Sequence, residues 1–156
     1  MTDAAALLER YRQRGWKIAT AESCTGGMIA AALTDIAGSS DVLERGFIAY
    51  SNEAKSELIG VPAAMIASHG AVSAPVAKAM ADGALGRSRA DVVISVTGIA
   101  GPGGGSSTKP VGLVYFGLAR KGIETRVDRQ HFAGDRVTVR LATVGHALDL
   151  LADALA

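Results

Sequence analysis

The chain has 156 residues, 49% of them apolar and only 4% aromatic, and its 16 basic and 15 acidic side chains leave a net charge of +1. At that length one core buries roughly 70% of the unfolded surface without a covalent staple. Lys and Arg occur in isolated pairs rather than in the clusters that nucleic acid or an anionic membrane recruits, so a small-molecule partner is expected instead.

A lone cysteine, Cys24, excludes an intramolecular disulfide framework and leaves no ligand set for a structural zinc. The first 15 residues lack the apolar core of a signal peptide, and no apolar run approaches the ~20 residues of a membrane helix. One domain over residues 1–156, in a cytoplasmic setting, is the expectation.

In chain order, Ala4 to Arg14 carries Leu7, Leu8 and Tyr11 at helical spacing, with Gly15 placed to stop it. A strand is predicted over 16–21 and a helix over 28–36, ending at Ala37-Gly38, so the segment between them bridges a strand to a helix start. Val42 to Tyr50 is β-rich toward its end. Ser51 or Asn52 can cap a helix through Leu58, closed by Gly60. Helices follow over 62–68 and 73–87, broken at His69-Gly70. Ala90 to Thr97 is continuous and β-branched, as suits a strand covered on both faces. A glycine-rich loop over 98–109 leads into a hairpin (111–119 and 123–132), and 135–151 reads as a closing helix. This order predicts a three-layer α/β/α sandwich on a mixed, partly antiparallel sheet.

Several constellations carry chemistry. The glycine loop lacks the spacing of a phosphate loop or a dinucleotide fingerprint and leads into a strand rather than a helix. Its backbone N–H groups can approach an anion closely, or it can be a flexible connection; composition leaves both open. Ser106-Ser-Thr-Lys109 matches the Ser-x-x-Lys of penicillin-recognising enzymes, but amid glycines and before Pro110 it is coincidental. Tyr50 and Lys55 sit near a strand-to-helix junction, one residue further apart than the dehydrogenase Tyr-x-x-x-Lys; a solvated lysine is the commoner meaning of such a pattern. His69, His131 and His146 form no ligand pattern: His69 suits a helix C-terminus, the others surface or hairpin positions. Arg136 and Arg140 lie a helical turn apart, as a phosphate fork or, more commonly, a solvated face. Glu22-Ser-Cys-Thr-Gly-Gly27 is the strongest segment. There an exposed hydroxyl and unpaired helix-start N–H groups could host a nucleophile and an oxyanion, or Ser23 or Thr25 could simply cap the helix.

Thr20-Ala-Glu-Ser-Cys-Thr-Gly-Gly27, Ile36-Ala-Gly-Ser-Ser40, Tyr50-Ser-Asn-Glu-Ala-Lys55, His69-Gly-Ala-Val-Ser73, Thr97-Gly-Ile-Ala-Gly-Pro102, Lys109-Pro-Val-Gly112 and Gly134-Asp-Arg136 together resemble the CinA C-terminal domain family across nearly the whole chain. Stand-alone members look like nicotinamide-nucleotide amidases, which convert nicotinamide mononucleotide to nicotinate mononucleotide and ammonia in pyridine-nucleotide salvage. The N-terminal domain of full-length members is expected to be absent. The resemblance implies a Ser23 nucleophile, a Lys55 base and a Tyr50 hydrogen-bonding partner for the proton, with no metal or cofactor. A lysine can serve if burial lowers its pKa. Backbone N–H groups around Cys24 to Gly26 are the expected oxyanion donors. Substrate contacts are expected at Cys24, Thr25, Gly26, Gly27 and Thr97, and phosphate and ribose at Gly98, Gly101 and Arg136. Cys24 is the competing nucleophile, and Glu22 has no assigned role. A non-catalytic nucleotide-binding or regulatory module of the competence-damage type is the alternative, and a symmetric homo-oligomer is expected.

Overall fold

Five strands form a single sheet in the order β2-β1-β3-β4-β5 in the computed structural model, which describes residues 1–156. They are β1 (Ile18–Glu22), β2 (Leu43–Ile48), β3 (Val92–Gly98), β4 (Leu113–Arg120) and β5 (Ile123–His131). β2, β1 and β3 run parallel, whereas β4 and β5 are antiparallel additions. Six helices cover the sheet: α1 (Ala4–Arg14), α2 (Met28–Thr34), α3 (Asn52–Ile59), α4 (Ala63–His69), α5 (Ala74–Gly86) and α6 (Arg136–Asp153).

Local chemistry sets the helix starts. Asp3, Ser51 and Asp135 each accept a hydrogen bond from a backbone N–H of the first turn that follows. On β3, alternate side chains serve opposite faces. Val92, Ile94 and Val96 join Leu7, Tyr11, Ile29 and Leu151 beneath α1, α2 and α6, while Val93 joins Ile59, Val76 and Met80 beneath α3 to α5. Each fully buried Leu, Ile or Val contributes roughly 1.5–3 kcal/mol, so two cores on one sheet hold the three layers together. Gly117 lets α5 lie close to β4, since a Cβ there would sit 2.5 Å from the Ala77 carbonyl oxygen. No helix is long and apolar enough to cross a membrane.

The predicted α/β/α class and mixed sheet are present, with shifted ends. β1 begins at Ile18 and includes Glu22, α2 stops at Thr34, β2 ends at Ile48, and a 3₁₀ turn at Ser39–Asp41 was not anticipated. His146, expected at the surface, is half-buried on α6, edge-on to Phe116 and bonded to Asp128.

The chain leaves β1 for β2 on one side, then crosses to β3 on the other, so a crevice opens where these connections part beyond the strands' C-terminal ends. Such a switch point is where open α/β sheets bind ligands. Ser23, Tyr50 and Gly98 all lie there, at or just beyond the ends of β1, β2 and β3.

Candidate active site

A cavity of about 270 Å³ occupies this crevice. Ser23 and Cys24 line it from the β1–α2 turn, Tyr50 from the β2–α3 turn and Lys55 from α3, and Thr97, Gly98, Gly101 and Arg136 from elsewhere in the fold. A larger depression of about 410 Å³ lies between α3 and α4, bordered by Glu53, Glu57 and Ile66. Its one hydroxyl, on Ser56, donates to the Val61 carbonyl rather than to a base, so the smaller cavity is the chemical candidate.

Ser23 is the first residue after β1, and its N–H donates to the Val96 carbonyl, which ties it to β3. Lys55 Nζ lies 3.0 Å from Ser23 Oγ and 2.9 Å from the Tyr50 carbonyl oxygen. Ser23 Oγ in turn lies 3.3 Å from that same carbonyl. Lys55 is only 1% exposed, so the solvated-lysine pattern is overturned. α3 begins at Ser51, whose hydroxyl accepts from the Ala54 N–H, and its first turn carries Lys55 back beneath Ser23. No carboxylate forms a salt bridge with the amine, and burial pushes its pKa below the ordinary lysine value.

Tyr50 contributes two separate groups. Its backbone carbonyl joins the serine and lysine, while its phenol, on a side chain 56% exposed, accepts from Arg136 Nη2 at 3.3 Å. Arg136 Nη1 also donates to the Gly101 carbonyl at 2.8 Å, so the guanidinium spans the cavity mouth from the β2 end to the glycine loop. Thr97 is buried and donates to the Ala71 carbonyl, pinning the α4–α5 connection against β3.

Of the predicted substrate contacts, Cys24, Thr97, Gly98, Gly101 and Arg136 line the cavity, whereas Thr25, Gly26 and Gly27 do not. Thr25 is fully buried and donates to Glu22 Oε1. Gly27, at φ 108°, is the N-cap of α2 and supplies no capping side chain, so neither Ser23 nor Thr25 caps that helix. The Glu22 carboxylate reaches across the turn instead. Its oxygens accept from Ile29 N–H at 2.9 Å, Ala30 N–H at 3.1 Å and Thr25 Oγ1 at 2.6 Å. The N–H groups at the start of α2 are therefore occupied by Glu22, and Gly26 N–H is occupied by the Ser23 carbonyl. The Cys24, Thr25 and Gly27 N–H groups of this turn have no acceptor within the chain. Burial pushes the Cys24 thiol up to about 11, leaving it protonated at neutral pH and a poor nucleophile.

Arg140 does not join Arg136 in a fork. It donates to the carbonyls of Cys24 and Thr25 at 3.1 and 3.3 Å. Ser106 and Lys109 close a turn of the glycine loop, and Lys109 Nζ binds the His69 carbonyl. Ala71, Val72, Ile99 and Asn52 also line the cavity and were not singled out from the sequence. Ala71 and Val72 lie within the His69–Ser73 motif, but only packing against Thr97 brings them to the site. No group of three or more His, Cys, Asp or Glu side chains is placed to hold a metal ion.

Residues 2–155 match the family described as CinA C-terminal domain. The chain is 53% identical to the nicotinamide-nucleotide amidohydrolase PncC of Escherichia coli K12, over 92% of this chain and 87% of that protein. It is 54% identical to a CinA-like protein of Citrifermentans bemidjiense over 97% of this chain but only 36% of that one, so it spans about a third of the longer relatives. The crystal structure of the competence/damage inducible protein CihA from Agrobacterium tumefaciens superposes with a TM-score of 0.94 at 47% identity, covering 97% of this chain and 92% of that one.

Proposed function

The chain belongs to the CinA C-terminal domain family, and from that premise we propose that it hydrolyses the carboxamide of nicotinamide mononucleotide, giving nicotinate mononucleotide and ammonia in pyridine-nucleotide salvage. The observation that carries this reading is the buried Lys55 amine 3.0 Å from Ser23 Oγ at the wall of the cavity. A serine hydroxyl is a weak nucleophile and a carboxamide a weak electrophile, so the reaction needs a base in contact and donors for the developing oxyanion.

With the amine neutral, the Ser23 hydroxyl donates to Lys55 Nζ. Ser23 Oγ attacks the carboxamide carbon as its proton passes to Nζ, and the carbonyl oxygen becomes an oxyanion facing the N–H groups of Cys24 and Thr25. The Lys55 ammonium then protonates the departing nitrogen, the C–N bond breaks, and ammonia leaves an acyl-serine. Water attacks that ester, giving its proton to Nζ. The ester C–O bond breaks, and Ser23 Oγ recovers its proton from the ammonium. The Tyr50 carbonyl holds Nζ in line throughout, at 2.9 Å. Arg136 supplies a cation for the phosphate at the cavity mouth, and glycine-loop backbone offers close approach to phosphate and ribose. Ala71, Val72 and Ile99 give the pyridine ring an apolar lining.

Ammonia release compared across free nicotinamide, its riboside and its mononucleotide tests the reaction and the need for phosphate together. Turnover of the mononucleotide well above the other two is expected. No ammonia from any of them, with nucleotide still bound, would instead favour a non-catalytic binding module.

A further inference from the structure

Arg140 enters no step above, yet it touches the one turn on which the chemistry depends. It is half-buried on α6 and crosses to the β1–α2 turn, 116 residues away in the chain. There Nε donates to the Cys24 carbonyl at 3.1 Å and Nη2 to the Thr25 carbonyl at 3.3 Å. These are its only hydrogen bonds to the rest of the chain. A trans peptide unit is planar, with its C=O and N–H pointing in opposite directions. Holding the Cys24 carbonyl toward Arg140 therefore directs the Thr25 N–H away from it. Holding the Thr25 carbonyl likewise orients the Gly26 N–H, which closes the turn onto the Ser23 carbonyl at 3.0 Å. That closure fixes the peptide unit shared by the Ser23 carbonyl and the Cys24 N–H. The Cys24 and Thr25 N–H groups are thus both oriented through contacts that begin at one guanidinium. Glu22 restrains the same turn from the α2 side, but through Thr25 Oγ1 and the helix N–H groups, not through these peptide units.

We propose that Arg140 is a positioning residue for the oxyanion site: its fork on the Cys24 and Thr25 carbonyls presets the two N–H donors before substrate arrives. A charge-assisted bond to a carbonyl also draws electron density from its peptide unit, which makes the Thr25 N–H a stronger donor. Preset donors matter because the oxyanion exists only at and near the transition state, so any reorientation at that moment adds to the barrier. The inference rests on the amidase reading and refines it.

The test uses the full chain with Arg140→Ala and Arg140→Lys beside the wild type and Ser23→Ala. Two ligands separate the states: nicotinate mononucleotide as the product, and a mononucleotide analogue bearing an aldehyde for the carboxamide, which traps Ser23 as a tetrahedral adduct. Disordering the donors is expected to cost kcat roughly 10- to 100-fold, somewhat less than the roughly 100- to 1,000-fold of deleting a donor outright. KM is expected to stay within about 2-fold, and the acid limb of the pH–rate profile, which reports Lys55, to stay in place. Affinity for the aldehyde analogue falls in step with kcat/KM while product affinity holds, and Arg140→Lys, which keeps the charge and one donor, recovers part of the loss. Wild-type kcat in Arg140→Ala, or an equal loss of affinity for both ligands, overturns the Arg140 role while leaving the amidase reading intact. Should Arg140→Ala fail to fold, an Arg140→Lys variant with unchanged kcat and unchanged aldehyde affinity overturns it equally. No ammonia from the wild type, or undiminished turnover in Ser23→Ala, overturns the amidase reading and the Arg140 role together.

Discussion

The two segments that flank Ser23 each bury one charged side chain, Glu22 at the end of β1 and Lys55 in the first turn of α3, both only 1% exposed. Their surroundings differ in what they offer. Glu22 receives three donors, two of them backbone N–H groups of α2, with both carboxylate oxygens engaged. Lys55 receives a hydroxyl oxygen and a carbonyl but no carboxylate, and burial lowers its pKa. A buried charge with a full set of partners becomes part of the scaffold, whereas one with too few is poised to lose its proton. On the proposed mechanism the same serine is held from one side and activated from the other.

The comparison predicts separable effects. The largest belongs to Ser23 itself: Ser23→Ala is expected to lower ammonia release by at least ~10⁴-fold while nucleotide binding, followed by calorimetry, is retained. Lys55→Met, which keeps the aliphatic stem and removes the amine, is expected to cost about 10³-fold or more in kcat. Its thermal midpoint should be unchanged or raised, because an incompletely compensated buried cation is removed. Glu22→Gln should show the opposite balance. It leaves buried N–H groups short of an acceptor and is expected to destabilise by about 1–3 kcal/mol, a drop of roughly 3–10 °C by calorimetry. If Lys55→Met were the less stable of the two, the division between scaffold and base would fail.

The pH dependence sharpens the same contrast. Because the folded state lowers the Lys55 pKa from 10.5, folded protein binds fewer protons than unfolded protein between the two values. Stability should therefore rise with pH across that window, and denaturant unfolding of Lys55→Met should lose this slope. Over the range where the amine deprotonates, kcat/KM should rise as well. The smallest effect is expected at Cys24. With its thiol pushed up to about 11, Cys24→Ala should keep turnover within about 3-fold and lose about 1 kcal/mol of stability, and alkylation should be slow at pH 8.

Much of this was legible in the residues. Leu7, Leu8 and Tyr11 at helical spacing, the β-branched run after Ala90, and glycine or proline at the breaks placed nearly every element, because period and turn chemistry are local properties. The motif around Ser23 identified the turn that carries the cavity's hydroxyl. Pattern alone treated Lys55 as a solvated helix residue, since burial depends on what packs over α3. Tyr50 was expected as a hydrogen-bonding partner for the proton, and which of its groups meets Ser23 and Lys55, the backbone carbonyl, was not legible. Thr25, Gly26 and Gly27 were expected at the substrate; they are not among the residues lining the cavity, and they shape the turn that presents Ser23.

The sequence by itself determined the order of strands and helices, the mixed sheet and the turn that presents Ser23, because hydrophobic period, capping and glycine placement act over a few residues. Only the tertiary structure decided which charges meet that serine. Lys55 lies 32 residues along the chain and Arg140 lies 116 residues from the carbonyl it holds, and such separations close only when helices pack on the sheet. The role of Glu22 was withheld for a related reason. Its partners Ile29 and Ala30 are near in sequence, but their N–H groups point at the carboxylate only after Gly27 turns the chain into α2.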